Sequence, residues 1–404
     1  MTDLLVHDAA QVVTPDDGDI ETVPAGTVAV EDGAVVAVGP TDEVVSDHPP
    51  GAASTAIDAS GKVVLPGFVD PHTHAVFAGD RSDEFAAKLR GADYQEILES
   101  GGGIHRTVRA VREASLETLV SNLLDHLDVM LAHGTTTAEV KSGYGLDVET
   151  ELRMLAAIDE ADDRHPVDLI PTFMGPHAVP PGTDAEEYVD RVVAAQIPAV
   201  VDQGIAEFCD VFCEAGVFSV EQSRRVLTAA AGADLTPKIH AEEFERTGGA
   251  QLAADLGAAS ADHLLQATDE DIAALDEAGV TPVLLPGTAF TLATDYADAA
   301  AFVDAGMPVA LATDFNPNCC SESMEFAMEL ACHGMRMDPA AALRATTANA
   351  ARAVDRGRSI GRLAAGAAGD LLVADAPELA HIPYNFGVST VETVVKGGEV
   401  VYSE

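Results

Sequence analysis

Eight short apolar runs recur between residues 63 and 314, separated by longer stretches with helical periodicity. These stretches are rich in alanine and include residues 116–132, 185–195 and 219–231. Alternation of strand and helix indicates an α/β fold with a parallel sheet, and eight repeats indicate a closed, TIM-like (β/α)8 barrel. The runs are residues 63–65, 135–140, 167–174, 206–213, 236–239, 258–262, 280–285 and 308–313.

An open, doubly wound sheet is the alternative arrangement of the same elements. It would need a glycine-rich, phosphate-binding turn after its first strand. Gly67 and Gly79 do not supply such a turn, so the barrel is the prediction.

The two ends of the chain differ from the middle, because both contain short strands separated by turns such as Asp32-Gly33. We expect the two ends to pair into one small composite β-sandwich domain. The predicted limits are residues 1–62 and 363–404 for the β-sandwich and residues 63–362 for the barrel. The strand-like segments are residues 4–6, 10–13, 26–30, 34–38, 370–374, 391–395 and 400–402.

Composition indicates a soluble protein with a large core. The chain has 404 residues, of which 47% are hydrophobic. No apolar stretch approaches the roughly 20 residues that a membrane span needs. Residues 1–20 lack a basic segment followed by an apolar one, so export is not indicated and a cytoplasmic location is expected.

The charge balance is strongly acidic: 67 acidic residues face 22 basic ones, and the formal net charge is −45. The acids are dispersed along the chain, which is typical of a solvated surface. Such self-repulsion opposes folding at low salt, whereas molar salt shortens the Debye length to about 3 Å. The composition therefore favours a salt-rich cytoplasm and argues against nucleic-acid binding, which needs a basic face.

Candidate metal ligands follow the first apolar run. His72 and His74 are two residues apart, so at the end of a strand both side chains point the same way and can reach one cation. Polar residues at the ends of later runs are His177, His240, His263 and Asp314. The carboxyl ends of parallel barrel strands are where such a fold carries its chemistry.

These residues, together with several longer motifs, make the chain resemble the amidohydrolase superfamily essentially from end to end. The resemblance is closest to the branch that hydrolyses 4-imidazolone-5-propanoate to N-formimino-L-glutamate in histidine breakdown. It implies a metal-dependent barrel with a composite β domain, and we expect a homodimer acting on this small molecule. The motifs are Asp70 to Arg81, Ala138 to Leu146, Phe173 to Val179, His240 to Glu243, Ser260 to Leu264 and Asp314 to Pro317.

The resemblance also implies residue roles. One zinc or iron ion is expected on His72, His74, His240 and Asp314. Residues expected around the substrate are Arg81, Tyr144, His177, Glu243, Asn316, Asn318 and Cys319. Asn318 and Cys319 depart from the glycine and the serine or threonine of many relatives, which leaves their contribution open. Glu243, His263 and Asp314 are the expected catalytic residues, with His263 and Asp314 as alternative proton acceptors.

Other interpretations of the same residues stay open at this point. His263 could be a core histidine, and Asp314 could cap a helix. Lys141 could be a carbamylated, metal-bridging lysine, or it could orient the Ser-Gly-Tyr-Gly loop that follows it. The whole chain could be a deaminase of cytosine or guanine, which would not need Arg81, or a non-catalytic hydantoinase-like scaffold, which would be expected to have lost metal ligands.

Overall fold

The structure, a computed structural model, describes residues 2–16, 19–91 and 101–404. The described strands form two sheets. One is the predicted barrel, whose neighbouring strands are all parallel. Its strands are β6 (Phe68–Thr73), β7 (Thr135–Lys141), β8 (Asp168–Phe173), β9 (Phe208–Cys209), β10 (Phe212–Cys213), β11 (Thr236–Ala241), β12 (Ser260–His263), β13 (Thr281–Leu284) and β14 (Ala310–Leu311).

The barrel has eight strand positions, because the short strands β9 and β10 share one of them beside β11. The segment after β14 returns to β6 and closes the ring. His74 N donates a hydrogen bond to Phe315 O at 2.8 Å, and Asp314 N donates to His72 O at 3.2 Å. These bonds bring the first and last predicted metal-binding segments side by side.

The first apolar run is not a barrel strand, so that part of the prediction is wrong. Residues 63–65 belong to β5 (Val63–Pro66), which pairs with strands of the second sheet. Gly67 separates β5 from β6, the true first barrel strand, and both strands are fully buried. The predicted domain limits at residues 62 and 362 stay predictions.

The second sheet is the composite domain, and it joins both ends of the chain as predicted. Strand β5 pairs parallel with β1 and antiparallel with β15, so it links the N-terminal hairpins to the C-terminal ones. Buried residues from both ends, such as Val12 and Leu371, pack in one cluster. The strands are β1 (Leu4–Asp16), β2 (Asp19–Glu31), β3 (Ala34–Pro40), β4 (Thr55–Asp58), β5, β15 (Leu371–Ala374), β16 (Val391–Lys396) and β17 (Glu399–Ser403).

Helices surround the barrel and are amphipathic, as the periodicity predicts. Leu116–Ala132 begins at Ser115, whose hydroxyl accepts a hydrogen bond from Thr118 N and so caps the helix. None of the described helices is both long and apolar enough to cross a membrane. The helices are α1 (Thr41–Asp47), α2 (Ser82–Leu89), α3 (Ile104–Glu113), α4 (Leu116–Ala132), α5 (Val148–Asp162), α6 (Ala185–Arg191), α7 (Ile197–Gln203), α8 (Val220–Ala231), α9 (Gly249–Leu256), α10 (Asp269–Ala278), α11 (Pro286–Leu292), α12 (Ala299–Asp304), α13 (Met324–His333), α14 (Pro339–Thr346), α15 (Ala348–Ala353) and α16 (His381–Tyr384). Pro50–Ala52 forms a 3-10 turn, and Val192–Gln196 forms a π-helical segment.

Candidate active site

Four predicted metal ligands converge at the carboxyl end of the barrel. His72, His74 and His240 place one ring nitrogen each within 4.8 Å of one another. Asp314 Oδ1 lies 3.6 Å from His72 Nε2 and 3.7 Å from His74 Nε2. His263 also groups with His72 and Asp314 within 4.8 Å. Residues from four separate strand ends therefore meet in one small volume.

The chemistry of this donor set fits a divalent transition metal. His72 Nε2 is buried and has no hydrogen-bond partner among the described residues, which is costly unless a ligand fills the space. Burial lowers the pKa values of His72 and His74 well below their usual range, and neighbouring cationic groups lower them further. Neutral imidazoles with a carboxylate beside them are the ligands that zinc and ferrous iron prefer.

Two buried carboxylates each lie within hydrogen-bond distance of the Nδ1 atom of one of these imidazoles. Asp262 Oδ2 lies 2.6 Å from His72 Nδ1, and Asp210 Oδ1 lies 3.0 Å from His240 Nδ1. Each carboxylate accepts from the Nδ1–H and thereby leaves the Nε2 lone pair free to bind a metal. These two contacts therefore favour the tautomer with the proton on Nδ1 in both rings, which leaves Nε2 as the metal-binding nitrogen.

Lys141 lies in the same buried layer, and neither predicted role fits its contacts. Its Nζ lies 2.9 Å from Glu139 Oε1, 2.7 Å from Asp210 Oδ2 and 3.7 Å from Asp262 Oδ2. Burial would lower the pKa of Lys141, but Asp210, Glu139 and Asp262 together raise it, so the amine stays a cation. Carbamylation needs a neutral amine and would place an anion among these carboxylates.

The Ser-Gly-Tyr-Gly loop is held by another residue. The carboxylate of Glu151 accepts hydrogen bonds from the backbone N–H groups of Gly143, Gly145 and Leu146 at 2.7 to 2.9 Å. The prediction that Lys141 orients this loop is therefore wrong.

Asp210, Asp262, Glu139 and Lys238 are site-supporting residues that sequence reasoning missed. Lys238 Nζ donates to Glu139 Oε2 at 2.6 Å, so both buried lysines share one glutamate. A signal was present, since charged residues inside fully buried strands are rare unless they are paired. Their partners come from different strands, so the pairing itself could not be inferred.

Glu243 and His263 lie together beside the metal ligands. Glu243 Oε2 is 3.7 Å from His263 Nε2, and both side chains are almost fully buried. Burial raises the pKa of Glu243 well above its usual range, and Asp314 and Glu214 raise it further. Burial lowers the pKa of His263. Burial therefore favours the neutral form of both groups, a protonated carboxyl on Glu243 and an uncharged imidazole on His263.

The predicted substrate-binding residues on the other side surround His74. The ring of His177 stacks on that of His74 with centroids 4.9 Å apart, and the ring of Tyr144 lies 6.0 Å from His74. Burial raises the pKa of Tyr144, so its hydroxyl stays protonated and can donate a hydrogen bond.

Arg81 precedes α2, and its Nε donates to Glu84 Oε2 at 2.9 Å. This salt bridge fixes the guanidinium while leaving its terminal amino groups for another partner.

The loop after β14 carries the remaining predicted residues. Asn316 Nδ2 donates to Asp314 Oδ1 at 3.0 Å, and Asn316 Oδ1 accepts from the backbone N–H groups of Asn318 and Cys319. The Cys319 thiol is buried and points back toward Thr313 O at 3.7 Å. Any contact of Cys319 with a substrate would therefore come from its backbone. Roles in substrate binding for these residues stay predictions.

The fold and this site define the class of protein. The model of the amidohydrolase family matches residues 63–401. The chain belongs to the amidohydrolase family.

Its relatives narrow the comparison. The imidazolonepropionase of Haloarcula marismortui is 64% identical over 402 residues, covering 99% of this chain and 96% of that protein. The imidazolonepropionase of Halobacterium salinarum is 63% identical, covering 98% of this chain and 97% of that protein. The imidazolonepropionase of Geobacillus kaustophilus is 50% identical, covering 98% of this chain and 94% of that protein. The similarity thus extends over almost the whole of each chain.

Solved structures share the fold at low identity. An adenosine deaminase from Xanthomonas campestris with bound zinc has a TM-score of 0.75 and 22% identity, and covers 99% of this chain and 92% of its own. An atrazine chlorohydrolase from Arthrobacter aurescens, complexed with zinc, has a TM-score of 0.76 and 18% identity. The match covers 99% of this chain and 95% of that one. At this identity the likeness supports the barrel with its second domain and no particular substrate.

Proposed function

We propose that this chain is an imidazolonepropionase, which hydrolyses the cyclic amide of 4-imidazolone-5-propanoate to N-formimino-L-glutamate. The carrying observation is one buried cluster of His72, His74, His240 and Asp314 with Glu243 beside it, in a chain 64% identical to a protein of that name. One zinc or iron ion per chain is part of the proposal. The organism's salt-rich cytoplasm and a homodimeric assembly are also proposed.

A metal ion in this cluster supplies Lewis acidity, which lowers the pKa of water to about 7 and polarises a carbonyl. Thr288 and Asn316 fix the Asp314 carboxylate by hydrogen bonds to its two oxygens. Asp314 then takes the proton of the attacking water, since the lowered pKa of His263 makes this imidazole the poorer acceptor. Neutral His263 donates a hydrogen bond to the oxyanion that develops on the ring carbonyl.

The ring nitrogen must leave with a proton, and Glu243 is placed to give one. Glu243 lies two residues beyond the end of β11, the strand that contains His240. Its raised pKa keeps the carboxyl protonated in the buried site until the carbon–nitrogen bond breaks. Arg81 offers a planar fork of donors to the propionate carboxylate, and Tyr144 and His177 add hydrogen-bonding groups on the opposite wall.

The two alternatives fit the structure less well. A scaffold without catalysis would not need unpaired imidazole nitrogens such as His72 Nε2 in a buried cluster. A deaminase of cytosine or guanine acts on a substrate without a carboxylate, which would leave only Glu84 as an anionic partner of Arg81. The terminal amino groups of Arg81, which bond no described residue, therefore support an anionic substrate.

The first prediction is one equivalent of metal per chain. Lys141 and Lys238 neutralise the carboxylates below the site, so the described residues offer no second complete ligand set there. Metal analysis of the purified protein should give one zinc or iron. Chelation should abolish ring opening, and one equivalent of zinc or iron should restore it. Two equivalents, or a mass increase of one carbon dioxide on Lys141, would contradict this prediction.

The second prediction concerns Asp262→Asn, which should weaken metal binding about 10- to 100-fold. The amide can turn its NH₂ toward His72 Nδ1, which would move the imidazole proton to the Nε2 that must bind the metal. Competition with a chromogenic chelator measures the affinity, and Asp255→Asn on the surface is the control. Unchanged metal affinity in Asp262→Asn would show that this carboxylate does not set the tautomer of His72.

The third prediction concerns salt. The net charge of −45 should make folding depend on screening by concentrated cations. Between 0.1 M and 3 M potassium chloride the Debye length falls from about 10 Å to below about 3 Å, so the melting temperature should rise steeply with salt. Differential scanning fluorimetry measures it. A melting temperature independent of salt over this range would refute adaptation to a salt-rich cytoplasm.

A further inference from the structure

Among the residues that the structure describes, Lys88 is the one lysine of this acidic chain that forms no ion pair with a carboxylate. The chain has five lysines, and four of them contact a carboxylate within 4.0 Å. Within residues 2–16, 19–91 and 101–404, the hydrogen bond of Lys88 runs from Nζ to the neutral amide oxygen Asn318 Oδ1, at 2.6 Å. An ammonium has three donors, and a partly buried cation is costly without an anion. These features point to an anionic ligand at Lys88.

Hydrogen bonds connect Lys88 to the active site. Asn318 N donates to Asn316 Oδ1 at 2.8 Å, and Asn316 Nδ2 donates to Asp314 Oδ1 at 3.0 Å. Lys88, in the last turn of α2, is thus tied to the loop that carries a predicted metal ligand. The contact holds α2 against the carboxyl end of the barrel.

Arg81 is a second cation at the same place. It directly precedes α2, and the two groups are close enough for electrostatic repulsion: burial lowers the pKa of Lys88 and Arg81 lowers it further, while the charge of Glu84 raises it in part. The Arg81 guanidinium donates from Nε to Glu84 and makes no other hydrogen bond to the described residues. Glu84 is itself occupied by Arg81 and by Gly103 N, and it lies outside ion-pair distance of Lys88. Two neighbouring cations therefore lie on α2 and at its start, and one of them is bonded to the loop that carries Asp314.

We propose that Lys88 is a second substrate-binding cation, which binds the substrate carboxylate together with Arg81 while Asn318 holds its side chain in place. The inference rests on the proposed function, since it concerns the carboxylate of that substrate. Arg81 supplies a planar fork, whereas Lys88 supplies a mobile point charge that can complete the coordination of the same carboxylate. Together they select an acid over a neutral analogue.

Lys88→Met tests this, because methionine keeps the length of the side chain and removes the charge. The probes are 4-imidazolone-5-propanoate and its neutral propanamide. For the acid, KM should rise about 10- to 100-fold in Lys88→Met, while kcat changes less than threefold. For the propanamide, kcat/KM should stay within threefold of the wild type. Arg90→Met, at the exposed residue that follows α2, is the matched control and should leave both substrates unaffected.

Asn318→Asp separates recognition from anchoring. An aspartate at 318 would pair with Lys88 and hold α2 at least as firmly, but it would neutralise the charge that the substrate needs. We expect Asn318→Asp to raise KM for the acid as Lys88→Met does, and to reduce kcat/KM more for the acid than for the propanamide. Metal content and melting temperature are measured for every variant.

Several results would overturn the inference. An unchanged KM for the acid in Lys88→Met would do so, as would an equal loss of kcat/KM on acid and propanamide, which indicates a structural role. Wild-type KM for the acid in Asn318→Asp would also contradict it. A wild-type protein that opens neither ring would refute the proposed function itself, whereas an active wild type with any of the results above refutes only the role of Lys88.

Discussion

Glu243→Gln should lower kcat for ring opening by about 10²- to 10⁴-fold, the range typical of a lost general acid or base. Glutamine keeps the shape of the side chain but cannot give a proton to the departing ring nitrogen. Glu243 is not in the cluster of candidate metal ligands, so metal content should remain at the wild-type level. The loss should appear in kcat, with little change in KM.

Steady-state kinetics on metal-loaded protein measure this effect. Glu245→Gln is the control, since Glu245 lies on the same loop and its side chain is exposed. A Glu243→Gln variant with wild-type kcat would remove Glu243 from the proton transfer. A variant that has also lost its metal would assign Glu243 a role in metal binding.

Arg81→Leu should lower kcat/KM for 4-imidazolone-5-propanoate by roughly 30- to 1000-fold, because it removes a charge-assisted contact worth about 2 to 4 kcal/mol. The substrate carboxylate would then face an apolar side chain in a half-buried pocket. Metal content should not change, since Arg81 lies outside the ligand cluster. The larger part of the loss should appear in KM.

The effect of Arg81→Leu on the acid is compared with its effect on the neutral propanamide, which shows whether the lost contact involves the carboxylate. Arg81→Leu should act much less on the propanamide than on the acid, because the lost partner is the carboxylate. Arg191→Leu, which removes an exposed guanidinium paired with Glu187, is the control. If Arg81→Leu opened the ring of the acid as fast as the wild type, the carboxylate would have to bind elsewhere.

Local sequence patterns predicted a large part of this fold. The helix Leu116–Ala132 has a strong period and a capping serine, so both its ends could be predicted. The first barrel strand could not, because β5 and β6 are separated by one glycine and the more apolar of the two, β5, belongs to the other sheet. Which sheet each strand joins depends on pairing partners far away in the sequence, such as Leu372 for Leu65. Periodicity carries no information about such partners.

The candidate site likewise has residues that could be predicted from the sequence and residues that could not. His72 and His74 could be recognised from their spacing and their position after an apolar run. Asp262 and Lys141 could not be assigned their roles, because these two residues are 121 positions apart in sequence and their side chains meet only across the interior of the folded barrel. The resemblance to a known family predicted a set of ligands, which the structure brings together, but did not predict the residues that orient them.

The central claim is the reaction itself, and a comparison of three substrates tests it most directly. The purified protein, loaded with one equivalent of zinc or iron in about 3 M potassium chloride, where the Debye length is below about 3 Å, is given 4-imidazolone-5-propanoate, cytosine and guanine in separate assays. Loss of imidazolone absorbance with formation of N-formimino-L-glutamate, and no ammonia from either base, is the predicted result. Faster release of ammonia from cytosine or guanine than opening of the imidazolone ring would contradict the account.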